Sequence, residues 1–434
     1  VRVLLIGGGA REHVIAERLA EDAELYAIMS KKNPAIASLA KKFWICDIHN
    51  PDEVIRCVAN EEIDIAFASP DAVLAAGVSD ALEQRGMLVA SPTKAAARIE
   101  WDKGFARQLM AENKIPGLVN YSIVDNESDA ARVIKDFGEV AIKPLGLTGG
   151  KGVKVSGDHF YDNDEALAYV KEVLAKDKSV LIEEKVEGEE FTLQVFSDGT
   201  RIAPMPPVQD HKRAFVGDTG KNTGGMGSYS TGDLLPFLTD KDIEEAKKIL
   251  AHVVHTMKKI GTPFKGVLYG QFMATADCVK LIEYNARFGD PEAINVLSLF
   301  EGSLTNCFLS IAEGQLDPPQ FKSKCTVVKY LVPNGYPDNP IPDAPVTIDE
   351  GMLEQSNAKL YYASVYEKEG RIYTTSSRSF AILGVAERLE DAERIAELGC
   401  RCVSGPVWHR PDIGTQQLVR KRIEHMQKIR TVKQ

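Results

Sequence analysis

A chain of 434 residues is long enough for about three or four domains, which excludes a single small module. A formal net charge of −10 excludes broad binding to nucleic acid or to an anionic membrane surface, so any anionic substrate must be met by cations gathered locally. Seven cysteines without a C-x-x-C pair, no apolar run near the about 18 residues of a membrane span, and no signal-peptide segment at the start lead us to expect a soluble cytoplasmic protein with reduced thiols.

The first element is an apolar strand over residues 1–6, followed by Gly7-Gly8-Gly9 and an amphipathic helix over residues 11–20. Residues 63–68 and 88–90 repeat the buried-strand pattern, so the first hundred residues read as an open, Rossmann-like α/β sheet. Ser91-Pro92-Thr93 opens a further helix. Residues 121–186 form a compact α+β unit: strands at 140–143, 153–155 and 180–184, with one helix near 164–175. Strands follow at 192–197 and 202–205 across an Asp198-Gly199 turn, then a helix over 240–260. His252 and His255 share a face of that helix, and without a third ligand nearby they read as packing or surface residues. Beyond the proline-rich loop 333–345, strands are expected at 358–366, 372–375 and 380–385, with a helix over 389–399. The basic tail 416–433 reads as a solvated surface helix.

The first glycine turn does not suit a dinucleotide. In G-x-G-x-x-G the third glycine would fall at Glu12, and Ser30-Lys31-Lys32 replaces the acid that holds a ribose diol. The glycines either serve only a tight strand-to-helix turn or, with Arg11, make an anion site suited to a sugar phosphate. The second loop, residues 145–152, joins strand to strand and lacks the hydroxyl residue of a Walker loop, which points to a flap over phosphates with Lys143 and Lys151 as point charges. Residues 182–189 end a strand at an interdomain hinge, where backbone groups can read an adenine edge and a carboxylate can accept ribose hydroxyls. The third loop, residues 217–227, carries five glycines and follows Gln209-Asp210-His211-Lys212-Arg213, which favours an ordered binding loop. In VKLIEYNARFGDPE, residues 279–292, strand alternation puts Glu283, Asn285 and Arg287 on one face: two hard oxygen ligands for Mg²⁺ beside a guanidinium for a transferring phosphoryl group.

Taken in order, IGGGAREH, the S-P-D-x-x-L-x-x-G stretch 69–77, IKPLGLTGGKGV, IEEKVEGEE, QDHKR, NTGGMGSYS and IEYNARFGDPE resemble the phosphoribosylamine-glycine ligase (glycinamide ribonucleotide synthetase) family over essentially the whole chain. The resemblance implies a multidomain α/β and α+β ATP-grasp fold. Its N-terminal α/β substrate unit would span 1–100, a central unit 101–120 with 187–322, a lid 121–186, and a C-terminal α+β unit 323–434. It implies ligation of glycine to 5-phosphoribosylamine through a glycyl phosphate, with ATP and Mg²⁺ or Mn²⁺, in a monomer or weak homodimer that engages neither nucleic acid nor membrane. The residues it assigns are Lys103, Lys143, Gly149, Gly150 and Lys151 for ATP phosphates, Glu183 and Val186 for adenine, and Glu189 for ribose. Gln271, Glu283 and Asn285 would hold the metal, and Arg287 with Asp210 and Lys151 would serve catalysis. Gly9, Arg11 and Asp71 would meet phosphoribosylamine, with Asn222, Gly224, Gly225 and Arg378 closing over the substrates. Ser69-Pro70-Asp71 and Thr375-Ser376-Ser377-Arg378 depart from the family's usual glycine-proline-glutamate and glycine-glycine-arginine. Pairing Gln271 with Glu283 calls for an odd-length hairpin loop such as 276–278. The alternatives are an ATP-grasp ligase for another carboxylate or ribonucleotide amine, a dehydrogenase, which Glu12 and Lys31 oppose, and a nucleotide sensor without turnover.

Overall fold

The computed structural model describes residues 1–149 and 152–431. Strands β1 (Arg2–Ile6), β2 (Glu24–Met29), β3 (Lys42–Ile45), β4 (Ile65–Ala68) and β5 (Leu88–Val89) form a parallel sheet in the order β3-β2-β1-β4-β5. Its central strands are covered on both faces, which is why β1 and β4 read as apolar runs rather than alternating ones. Gly7 closes β1 at φ +129, where an added Cβ would lie 2.6 Å from Glu12 Cγ, so the turn into the helix Ala10–Ala20 requires glycine.

The second sheet joins β6 (Tyr121–Val124), β7 (Val140–Pro144), β8 (Lys154–Val155) and β9 (Val180–Glu184) in the order β6-β9-β7-β8. Two helices cover it, Glu127–Phe137 and Asn163–Leu174, where the sequence pattern showed only the second. The missed helix is announced by Asn126, whose side chain accepts the Asp129 amide as an N-cap. Val140, Ile142, Val170 and Ile182 belong to a hydrophobic cluster of this unit alone, so the lid carries its own small core.

The central sheet pairs β10 (Glu189–Asp198) with β16 (Lys265–Ala274) along their full length, flanked by β11 (Ile202–Pro204) and β17 (Val279–Asn285). The helix Asp240–Lys259 backs it, with His252 half-buried and His255 exposed. Among the described residues no cluster of three His, Cys, Asp or Glu side chains could hold a metal, and no helix is long and apolar enough to cross a membrane. Short strands β12 (Gln209–Asp210), β13 (Arg213–Phe215), β14 (Thr219–Asn222) and β15 (Gly227–Ser230) follow β11, with β13 and β14 making a hairpin of their own. β12 and β15 extend a sheet through Cys325–Pro333, Phe380–Ala386 and Lys359–Tyr362. The stretch 358–366, expected as one strand, is therefore two. Lys359–Tyr362 stays in this sheet, whereas Val365–Lys368 leaves it to form a tight hairpin with Arg371–Thr374.

The β16–β17 hairpin meets its register differently from the sequence expectation. Ala274 pairs with Val279 across a four-residue loop, yet Gln271 faces Glu283, because a bulge leaves Ile282 unpaired between Glu283 and Leu281. The extra residue reverses the side-chain alternation. Leu281 and Tyr284, three positions apart, both enter the core, while Glu283 and Asn285 turn to the opposite side.

The hinge between the lid and central sheets is equally tight. At Gly188 an added Cβ would fall 1.9 Å from the Ala274 carbonyl oxygen. Gly188→Ala must push β10 off β16 and should destabilise the protein by about 1–3 kcal/mol; an unchanged thermal midpoint would contradict this packing.

Candidate active site at the junction of the sheets

A cavity of about 700 Å³ opens where these sheets meet. Arg11 and Asp71 from the N-terminal unit, Lys143, Thr148 and Gly149 from the lid, Asp210 and Asn222, Glu283, Tyr284, Asn285 and Arg287, and Arg378 all line it. Gly150 and Lys151 lie outside the described residues.

On the lid side the cavity rests on a buried ionic joint. Glu183, 3% exposed, receives Lys143 Nζ at 2.6 Å on one oxygen and Arg107 Nε at 2.5 Å on the other. Both cations also reach the bulge: Arg107 Nη2 donates to the Ile282 carbonyl at 2.7 Å and Lys143 Nζ at 3.3 Å. Burial alone would raise the Glu183 value, but Arg107 and Lys143 outweigh it and hold the carboxyl below its ordinary range. The Glu183 side chain thus has both oxygens occupied by cations, while the residue lines the cavity. The next stretch differs: among the described residues the Val186 backbone amide makes no hydrogen bond, and Val186 lines the cavity. Glu189 also lines it and is bound by His425 and Arg422.

Around Glu283 the charges converge. Lys103 donates to the Gly146 carbonyl at 2.7 Å, which ties the helix Lys103–Glu112 to the flap. Burial raises the Glu283 value, but Lys212, Lys143, Lys103 and Arg287 bring it below the ordinary one, so the carboxylate is ionised. Among the described residues the side chains of Glu283 and Asn285 make no hydrogen bond, so their oxygens remain available to a hard cation such as Mg²⁺. Gln271 does not join them. It is fully buried, its oxygen accepts from Tyr269 and Thr192, and its nitrogen donates to Glu190 at 2.7 Å. The expected third metal ligand is therefore a support beneath the floor, and the hard oxygens that line the cavity are those of Glu283 and Asn285.

Behind this floor lies an acidic cluster that the sequence reading passed over. Lys212 stands 3.6 Å from Glu190; burial acts to lower its value, but Glu190, Asp210, Glu283 and Glu292 raise it, so the ammonium stays charged. Asp210 is pushed up to about 7, first by burial, against the opposing pull of Lys212. Arg287 lies just past the end of β17. Its Nη2 is 3.1 Å from Glu100 and 4.0 Å from Asp71, while its Nε is buried without a partner among the described residues. Glu100, raised to about 7 mainly by burial, also accepts the Ala286 amide.

At the end formed by the N-terminal unit Arg11 lines the cavity, with Nη1 on the Phe288 carbonyl at 3.1 Å. Gly9 was expected to offer its amide to the sugar phosphate, but that amide donates to Glu12 at 2.7 Å. Glu12 is also held by Ser69, so the acid at the third glycine position closes the turn itself. Arg378 braces the third glycine loop: Nη1 donates to the Gly225 carbonyl at 2.8 Å, Nη2 lies 3.4 Å from Asp290, and the guanidinium stacks over Tyr330. Asn222 and Gly224 border the cavity, and Gly225, at φ +119, packs against Pro291 behind it.

The basic tail is not a solvated surface helix. In Gln416–Thr431 the residues Leu418, Val419 and Met426 are buried, and Arg422 reaches the cavity wall. Its apolar positions were visible in the sequence, but the charge run masked them.

The N, ATP-grasp (A) and C domains of phosphoribosylglycinamide synthetase match residues 1–100, 101–293 and 326–416. This chain belongs to the phosphoribosylglycinamide synthetase family. It is 47% identical to phosphoribosylamine–glycine ligase of Methanobrevibacter smithii over 99% of this chain and 100% of that one. It is also 47% identical to the ligase of Pyrococcus horikoshii over 99% and 98%. The crystal structure of a phosphoribosylamine–glycine ligase from Thermotoga maritima superposes with a TM-score of 0.81 at 25% identity, over 95% of this chain and 100% of that one. A biotin carboxylase from Campylobacter jejuni, 15% identical, shares the fold with a TM-score of 0.73 over 98% of each chain.

Within this phosphoribosylglycinamide synthetase family member, several site residues escaped sequence reasoning. Lys212 stood in the QDHKR motif without a role, whereas Arg107, Glu100 and Glu190 sit in ordinary helix or strand sequence with no local signal. Only the fold brings them to the cavity.

The Glu183 joint makes a sharp prediction. Glu183→Gln leaves two buried cations without their counter-ion and should cost about 3–5 kcal/mol at neutral pH. The depressed carboxyl contributes stability in full above the ordinary value of 4.5, and loses it as pH falls through the lower folded value. The gap between wild type and variant in urea denaturation should therefore narrow below pH 4.5; a gap constant with pH would refute the ionic joint.

Proposed function

We propose that this protein is an ATP-dependent phosphoribosylamine–glycine ligase that makes glycinamide ribonucleotide, ADP and phosphate in the cytoplasm. One observation carries the reading most: the free carboxylate and amide of Glu283 and Asn285 share a cavity with Lys103, Lys143, Arg287 and Arg11, in a chain of this family. The nucleotide would enter between lid and central sheet, its base against the Val186 amide and its ribose on Glu189. Lys103 and Lys143 would hold the phosphates, with the backbone of Gly149 close to them. Glu283 and Asn285 would hold a Mg²⁺ or Mn²⁺ ion, which when bound neutralises triphosphate charge.

The chemistry runs in two displacements. A glycine carboxylate oxygen attacks the γ-phosphorus and ADP leaves, giving glycyl phosphate. The amine of phosphoribosylamine then attacks the acyl carbon, and phosphate leaves as the C–N bond forms. Arg287 would stabilise charge on the transferring phosphoryl group and then on the departing phosphate. Arg11 and Asp71 would receive the sugar phosphate and its hydroxyls, while Asp210 and the Asn222 to Gly225 loop, braced by Arg378, close over glycine. An ionised Asp210 suits the glycine ammonium.

The decisive measurement is a coupled ADP-release assay with phosphoribosylamine generated in place. ADP release should require both glycine and the amine; equal release with other amino acids would overturn the glycine assignment. In the same assay Arg287→Ala should lower kcat about 10²-fold or more while leaving ATP affinity nearly intact.

A pH dependence follows from Asp210. Because its carboxyl sits at about 7 in the free protein, kcat/KM for glycine should rise as pH increases through that value. Asp210→Asn should remove the rise; a variant profile parallel to wild type would dismiss this role.

A further inference from the structure

The helix Gln416–Thr431 begins where the matched C domain ends, at residue 416, and it packs on the central unit as well as on its own. Val419 and Met426 join the largest hydrophobic core, and Arg430 Nη2 bonds both oxygens of Asp242 at 2.8 and 2.9 Å. Between these anchors two cationic or donor side chains, one turn apart, turn toward the hinge. His425 Nδ1 is 2.7 Å from Glu189 Oε1, and Arg422 Nε is 3.4 Å from Glu189 Oε2. Arg422 also bonds Asp218 of the third glycine loop at 2.6 Å, and His425 Nε2 lies 3.7 Å from Glu187.

Glu189 is 8% exposed and starts β10 directly after the tightly packed Gly188. Its backbone is thus fixed by the sheet, but its side chain has no partner from its own strand. The two helix residues supply that orientation. A carboxylate offers about four lone-pair directions; His425 takes one, and Arg422 Nε faces the other oxygen as a charge at 3.4 Å without a hydrogen bond, which leaves the rest for a pair of vicinal hydroxyls.

We propose that the C-terminal helix is a positioning element for the nucleotide. His425, supported by Arg422, holds the Glu189 carboxylate so that it accepts the ribose hydroxyls, and the helix thereby sets the preference for ribonucleotide over 2′-deoxyribonucleotide. This rests on the reading of Glu189 as the ribose acceptor. The helix does no chemistry itself; removing its donors lets Glu189 rotate away from the ribose while the phosphate contacts on the opposite side of the cavity persist.

The test is equilibrium binding of ATP and of 2′-deoxy-ATP to the full chain by calorimetry, a readout independent of ligase turnover. Wild type should prefer ATP, and Glu189→Gln should reduce that preference by about tenfold. His425→Ala should reduce it to a similar extent with 2′-deoxy-ATP binding nearly unchanged, and His425→Asn, whose amide nitrogen can sit where Nδ1 does, should restore part of it. If Glu189→Gln changes the ratio and His425→Ala does not, the helix only packs and the proposal fails with the ribose reading intact. If Glu189→Gln leaves the ratio unchanged, both fall together. A drop in thermal midpoint of His425→Ala without a change in the ratio would likewise assign the residue to packing alone.

Discussion

The structure depends on one buried ionic joint, Glu183 between Lys143 and Arg107. It is the point at which lid, central sheet and the helix Lys103–Glu112 are held in a common frame. Burying three charges is costly unless each is paired and its remaining hydrogens are satisfied. Here the second requirement is met by carbonyls, those of Leu281 and Ile282, and the Ile282 carbonyl belongs to the unpaired residue of the β17 bulge. The irregularity that turns Glu283 and Asn285 to the cavity therefore also offers an acceptor to the cations that support the lid. Metal-competent oxygens and phosphate-competent lysine are placed by the same local distortion.

From that joint the electrostatics of the cavity follow. The chain is acidic overall, yet its cations converge on one cleft, each kept charged by a neighbouring acid: Lys212 by Glu190, Arg287 by Glu100 and Asp71, Arg378 by Asp290. Pairs of this kind hold long side chains in place before substrate arrives and stop the cations from repelling one another. The acids in turn carry raised values where burial dominates, at Asp210 and Glu100, and a lowered one where cations dominate, at Glu283. Neighbouring carboxylates thereby acquire different protonation behaviour, and with it different uses.

Much of the site was legible because motif residues lie at turns and strand ends, where side-chain type is chosen for a ligand rather than for packing. Glu283, Asn285 and Arg287 were read this way, Asp210 and Arg378 through the family resemblance, and all line one cavity. Gly9 and Gln271 were misread for a common reason: each has the right type at the right place, but a neighbour takes its hydrogen-bonding group. Glu12 occupies the Gly9 amide, and Tyr269, Thr192 and Glu190 occupy the Gln271 amide. Glu183 also has both carboxylate oxygens taken, by Arg107 and Lys143, while it lines the cavity. Satisfaction of a polar group is a property of its surroundings in space, to which spacing along the chain is blind.

The order of residues along the chain sets the elements and the chemistry at their ends: apolar runs for the parallel sheet, glycine loops for close approach, and a family of motifs in fixed order. The tertiary structure alone decided which polar groups remain free. It set the register of β16 on β17 through a bulge rather than through loop length, and it brought a basic tail onto the wall of the cavity. Local interactions reach only about one turn or one strand pair along the chain, whereas His425 and Glu189 meet across 236 residues, a contact that exists only once the core has closed around them.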